Sequence, residues 1–305
     1  MKKHGLPVYC RSVKQPWERW AGKKHFCIFV GLIMTRIQAN LLLTLAAMIW
    51  GSSFVVQQIG TGELGTIGFT GARFLVGALL VLPFALRQMQ RLKEQERQLQ
   101  SKDWLGIAVT GCVLLIAAVL QQHGILRTSV TNSGFLTALY VPLVPVLGLL
   151  FLKRKVHFAI WPASVGCFVG TYILSGAHGV TLAVGDLWVI SSTIFWATHV
   201  TRVGIMASRT GAPLVVAVGQ FLVCGLGGLS LGFMVESPTL PHFAGAVLGI
   251  LYVGIFSVGM AFTLQVVGQR FTPAADAAII LSSETIFAAL GGIILLGERL
   301  SLFRL

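Results

Sequence analysis

Long apolar stretches alternate with short polar and basic segments along the chain, and nine of them can be delimited: residues 38–58, 66–86, 104–126, 131–152, 157–176, 186–207, 212–234, 243–267 and 274–296. Each holds about 20 residues, the length a helix needs to cross roughly 30 Å of hydrocarbon. Continuous apolar runs suit helices, whereas barrel strands would alternate. In lipid the backbone must satisfy its own polar groups, so the pattern predicts an all-α polytopic integral membrane protein with nine transmembrane helices. Glycines spaced four apart, as in Gly166/Gly170, Gly228/Gly232 and Gly245/Gly249, let helix backbones approach closely and predict one compact bundle.

Composition strengthens this reading: 55% of residues are hydrophobic, 11% are charged and mean hydropathy is +0.82, which excludes ordinary water-soluble domains. A net charge of +13 would suggest nucleic acid as a partner. The basic residues, however, lie between apolar runs instead of forming one stripe, which argues against nucleic acid and for anchoring among membrane lipids. One side collects Arg87, Arg91, Lys93, Arg97, Lys102, Lys153, Arg154, Lys155, Arg202, Arg209 and Arg270. The other has Arg127 until the final Arg299 and Arg304. The positive-inside rule then predicts an N-terminus in the cytoplasm.

The five cysteines show neither a disulfide framework nor zinc spacing, and no metal or cofactor is expected. Sequence signatures of zinc proteases, serine hydrolases and nucleotide-binding loops are absent, which argues against an enzyme and against ATP-driven transport. Residues 1–37 form a basic extension containing Trp17 and Trp20. Its apolar stretch from Phe26 to Met34 is too short to span, and translation starting at Met34 is an alternative reading.

The chain also repeats itself. Trp50 recurs as Trp196, 146 residues on; Ala72–Val76 aligns with Gly219–Val223 at 147; Arg127–Leu136 aligns with Arg270–Ile279 at 143. Two five-helix units follow, 38–176 and 186–305, joined by a linker at 177–185. An odd number of helices per unit gives the second copy opposite orientation, so an inverted-topology repeat is predicted. By the same alignment the second unit lacks its last helix, ending at Leu305, four residues past Ser301. That leaves two readings open, a working transporter and a non-transporting membrane remnant.

The start, Asn40 through Trp50-Gly51-Ser52-Ser53-Phe54, and the end, Ser283-Glu284-Thr285-Ile286-Phe287 followed by Gly297-Glu298-Arg299, resemble the EamA-type drug/metabolite transporter superfamily. The resemblance covers about residues 38–305 and implies ten helices, cytoplasmic termini, a cavity between the halves, and export of amino acids, other metabolites or toxic compounds. This chain departs from the pattern in having Thr285 where proline is common. A multi-pass permease of the bacterial cytoplasmic (inner) membrane for a small-molecule substrate, with protons as a candidate coupling ion and a monomer or homodimer as assembly, is the expectation that the resemblance implies.

Ionisable groups inside the membrane cost roughly 2.5 to 3.5 kcal/mol and ask for a partner or a purpose. Glu284, about ten residues into the ninth stretch, is the foremost candidate for binding a proton or a cationic substrate group, with Thr285 beside it. An interhelical hydrogen bond is the competing structural role. Arg73 is read chiefly as an anchor snorkelling to headgroups, with anion attraction or pairing to Glu284 as the alternative. Gln220 is its neutral counterpart in the repeat. His199 is a candidate relay, though a lone histidine more often packs. Trp50 and Trp196 form a repeat-related pair that packs a helix crossing or lines the cavity. Tyr140 and Pro142 lie in the fourth stretch, which proline kinks and which the repeat sets opposite Glu284. Gln57, Gln121, Gln122, Asn132, Tyr252 and Gln265 are weaker candidates.

Overall fold

The computed structural model describes residues 34–152 and 183–298, with isolated positions between them at 158, 161–162, 165–166 and 169. The basic extension up to residue 33, and the fifth expected helix at 157–176 apart from those positions, lie outside the described residues. The described residues are helical, without strands: α1 Arg36–Ile59, α2 Thr66–Glu94, α3 Ser101–Ile125, α4 Val130–Thr137, α5 Tyr140–Leu152, α6 Val184–Thr210, α7 Pro213–Val235, α8 Leu240–Tyr252, a π-helical stretch Val253–Phe262, α9 Thr263–Gln269, α10 Ala274–Leu281 and α11 Glu284–Leu296.

The expected count of nine spans is corrected to seven among the described residues. Seven runs are long and apolar enough to cross a membrane: Arg36–Ile59, Thr66–Glu94, Ser101–Ile125, Val130–Leu150, Pro213–Val235, Leu240–Gln269 and Ala274–Leu296. Helix α6 has the length, at 27 residues, but Asp186, His199, Arg202, Arg209 and a series of serines and threonines lower its hydropathy. Helix α2 is longer than its apolar run. At 29 residues it extends about 43 Å, so its last turns project beyond a core of roughly 30 Å.

Local chemistry explains the helix ends. The Thr35 hydroxyl accepts from the Gln38 amide at 3.3 Å while the Gln38 side chain accepts from the Thr35 amide at 3.0 Å, a reciprocal cap that starts α1. Pro213 opens α7, where no backbone donor is needed. Gly211 and Gly297 end α6 and α11 at φ 63° and 67°, a conformation that favours glycine.

Two apolar runs are broken in mid-course, and at equivalent places. Val130, Thr137 and Tyr140 each stand 144 residues before Ala274, Leu281 and Glu284, which bound the corresponding elements. In the first, Pro142 lacks the amide that would bond Ala138, and its ring crowds that carbonyl, so the break falls immediately before α5. In the second no proline is needed. The hydroxyls of Ser282 and Ser283 donate to the carbonyls of Ile279 and Ile280 at 2.7 Å each and compete with the helical ladder.

The tightest pairing is between α2 and α7, aligned by the 147-residue spacing. A Cβ on Gly228 would lie 2.8 Å from the Gly71 Cα, and one on Gly232 would lie 2.9 Å from the Gly68 Cα. Position numbers rise on one helix as they fall on the other, so the pair is antiparallel. Each helix also caps its partner. The Glu236 carboxylate, just past α7, accepts from the Ile67 and Gly68 amides at 2.9 and 2.8 Å. At the other end the Gln88 side-chain oxygen accepts from the Leu214 and Val215 amides at 2.9 and 3.2 Å. Orphan amides at two helix starts are thereby satisfied by side chains of the opposing helix.

Candidate functional site

A central cavity with about 530 Å³ of atom-free space is lined by residues from most helices. Little of it is wide enough for water, so a solute of amino-acid size enters only if side chains move. Helix α1 contributes Trp50, Phe54 and Gln57, which share a face at i, i+4 and i+7. Arg73 comes from α2, Gln121 from α3, Tyr140 from α5, Trp196 from α6, Phe262 from the π stretch, Gln265 from α9 and Glu284 from α11.

Arg73 is 4% exposed and its guanidinium donates to the Gln57 side-chain oxygen. It also lies 5.5 Å from the ring centres of both Phe69 and Phe74. Gln57 is held in turn, its amide donating to the Ser53 carbonyl at 3.1 Å. The expected outward snorkelling of Arg73 is therefore corrected: aromatic faces and a buried amide hold the cation inside. Neither is it paired with Glu284, since the ion pairs among the described residues are Arg36–Asp276 and Arg209–Asp103.

Glu284 is 5% exposed, and among the described residues neither a hydrogen-bond donor nor a cation reaches its carboxylate. The break after α10 makes it the first residue of α11, so the positive end of that helix dipole stands beside it. Its equivalent, Tyr140, begins α5 and donates its hydroxyl to the Ala278 carbonyl of α10 at 3.4 Å. Half-helix starts at the middle of a membrane are where transporters commonly build solute and ion sites.

Both tryptophans contact Phe262. Trp50 meets it edge-on at 4.7 Å and Trp196 stacks on it at 6.0 Å. The Trp50 indole donates to the Ser257 carbonyl at 3.3 Å, whereas the Trp196 indole N–H is buried without an acceptor among the described residues. Phe262 also contacts Phe74 at 5.6 Å, which makes it the hub of the aromatic wall.

Of the residues singled out from sequence, Trp50, Arg73, Tyr140, Trp196 and Glu284 line the cavity. His199 and Gln220 do not. They are wholly buried behind the aromatic wall, joined from the His199 Nε2 to the Gln220 Oε1 at 2.9 Å. Thr285 is buried against α4 near Gly134, and Pro142 acts through the helix break. Phe262 escaped notice because nothing separates one phenylalanine from another in an apolar run. Gln57, Gln121 and Gln265 were ranked low for lying towards helix ends; the spacing of Gln57 seven residues from Trp50 was the available signal.

A helical bundle with broken spans around a polar-lined central cavity is the architecture of a membrane transporter. The chain belongs to the EamA-like transporter family, whose model matches residues 37–176 and again 183–305. It is 30% identical over 267 residues to an uncharacterized transporter of Archaeoglobus fulgidus, covering 87% of this chain and 80% of that one. Similarity to the threonine/homoserine exporter RhtA of Escherichia coli K12 is 25% identity over 247 residues, 78% of this chain and 76% of RhtA. For the uncharacterized transporter YwfM of Bacillus subtilis it is 24% over 275 residues, 86% and 87% of the two chains. A protein of solved crystal structure shares the fold with a TM-score of 0.66 at 17% identity, covering 86% of this chain and 89% of its own.

Proposed function

We propose that this multi-pass membrane permease exports a small zwitterion of the amino-acid class from the cytoplasm, with Arg73 receiving the carboxylate and Glu284 the ammonium group. The observation that carries the reading is that one cavity holds a buried guanidinium and a buried carboxyl group not paired with each other. Two groups able to carry opposite charges, left apart in a low-dielectric space, are complementary to a solute bearing both. The tryptophan and phenylalanine rings supply apolar contact for its carbon atoms. RhtA, named as an exporter of threonine and homoserine, supports the same solute class.

Protons are the proposed counter-ion. In the empty cavity the Glu284 carboxylate has no donor among the described residues, and a proton bound there would remove the cost of burying the charge. Substrate ammonium and proton would then compete for one carboxylate, which couples their movements. The positive-inside rule supports a cytoplasmic position for the basic end of the bundle, which carries Arg87, Arg91, Lys93, Arg97 and Arg209.

The test is counterflow of labelled threonine in proteoliposomes containing the full chain. Expected are saturable exchange and competition by other α-amino acids, but not by the amino alcohol or hydroxy acid that lacks one charge. Equal competition by a singly charged analogue would overturn the two-charge site.

A further inference from the structure

At the basic end of the bundle two arginines from different loops converge on the turn between α6 and α7. The Arg97 Nη2 lies 3.2 Å, and the Arg270 Nη2 3.9 Å, from the point a Cβ on Gly211 would occupy, so the two cations are at most about 7 Å apart. Among the described residues no carboxylate pairs with either. The acids of this end are otherwise engaged or exposed: Asp103 with Arg209 at 2.8 Å, Asp276 with Arg36, and Glu94 and Glu96 on the exposed end of α2. Arg97 is tethered, donating to the Thr210 carbonyl at 3.3 Å, and Arg270 rests over the Phe271 ring at 5.2 Å. Burial, and next the Arg97 charge, hold the Arg270 guanidinium below its ordinary pKa.

Two like charges fixed this closely ask for an anion between them. Arg97 also belongs to a groove formed by the projecting turns of α2 and the start of α3, with Lys93 as a further cation and Leu86, Met89, Leu99 and Trp104 as apolar wall. Leu86, Met89 and Trp104 are exposed, at 49%, 40% and 42%. A free anion would leave that wall uncovered. An acyl chain would cover it, and an exposed Trp suits the headgroup boundary.

We infer that Arg97 and Arg270, with the groove below Arg97, form a binding site for the phosphodiester headgroup of an acidic phospholipid at the basic end of the bundle. The lipid clips together the α2–α3, α6–α7 and α9–α10 connections. Basic pockets between membrane helices take such headgroups by ordinary charge pairing. The site is separate from the central cavity, and it stands whether or not the transported solute is a zwitterion.

The test uses the purified full chain in nanodiscs of phosphatidylcholine with and without phosphatidylglycerol. Native mass spectrometry should find phosphatidylglycerol retained on the wild type, with retention falling about fivefold for Arg97→Gln and again for Arg270→Gln. Arg87→Gln/Arg91→Gln, at the same end but lining neither the groove nor the Gly211 position, should retain it. A photoactivatable phosphatidylglycerol should label the 86–104 segment of the wild type, a readout that does not depend on any variant folding. The inference is overturned by the absence of label there, by equal loss in the control pair, or by inorganic phosphate displacing the lipid from the wild type.

Discussion

The cavity residues differ in how they are held, and that decides what a substitution does. Arg73 is positioned by Gln57 and two aromatic faces, so Arg73→Lys keeps a charge but loses the planar fit. Glu284 is unpartnered among the described residues, so Glu284→Gln changes its chemistry and little of its packing. A charge-assisted hydrogen bond is worth about 1.5–3 kcal/mol, so apparent affinity for a zwitterion should fall roughly 10- to 100-fold in Glu284→Gln, with the protein still folded. Counterflow in proteoliposomes reads this directly, and an unchanged half-saturation concentration would remove Glu284 from the site. The buried His199–Gln220 pair is a stability matter instead. Gln220→Leu leaves the imidazole without its partner and should cost about 1–3 kcal/mol, while His199→Phe/Gln220→Leu removes both polar groups and should cost less. Thermal unfolding of the two variants in one detergent measures the difference.

Between elements, the most extensive packing is that of α2 and α7, and it depends on glycine. Gly228→Leu would set a side chain against the Gly71 backbone and force the helices apart, whereas Gly148, with open space where its Cβ would be, should accept alanine. Expression followed by size-exclusion chromatography should show aggregation for the first and a normal profile for the second. The caps make a smaller contribution. Glu236→Ala removes the acceptor of two amides and should lower stability by about 0.5–2 kcal/mol. Much at this level was legible in the sequence. Apolar run length located α1, α3, α6 and α7 to within a few residues, because membrane thickness sets that length. The repeat aligned α4 with α10 and α5 with α11. What escaped had no period to betray it. The break before Glu284 arises from two serine hydroxyls bonding their own carbonyls, the π stretch at Val253–Phe262 leaves hydropathy unchanged, and polar residues kept α6 off the count of apolar spans. Arg73 was misjudged because distance from a helix end says nothing of which way a side chain points.

For the whole molecule, the decisive property is the unequal charge of its two ends. Among the described residues Arg36, Arg87, Arg91, Lys93, Arg97, Lys102, Arg209 and Arg270 outnumber Glu94, Glu96, Asp103 and Asp276 at one, while the other carries Arg127 with Glu63, Asp186, Glu236 and Glu298. Cysteines placed singly at Glu96 and at Ser237 should therefore differ in intact cells: the second should react with an impermeant maleimide and the first should not. The reverse result would invert the proposed direction of transport as well as the topology.

The exchange of caps between α2 and α7 also bears on how such a protein can be divided. A gene cut between codons 153 and 182 would yield two polypeptides, each with one helix whose first amides meet no acceptor of their own. Made singly, each should be degraded as an orphan; made together, they should complement one another and restore export. The two stretches that match the family model can drift in sequence, but each holds the other's missing ends, and a partnership of that kind is hard to dissolve by any single genetic event.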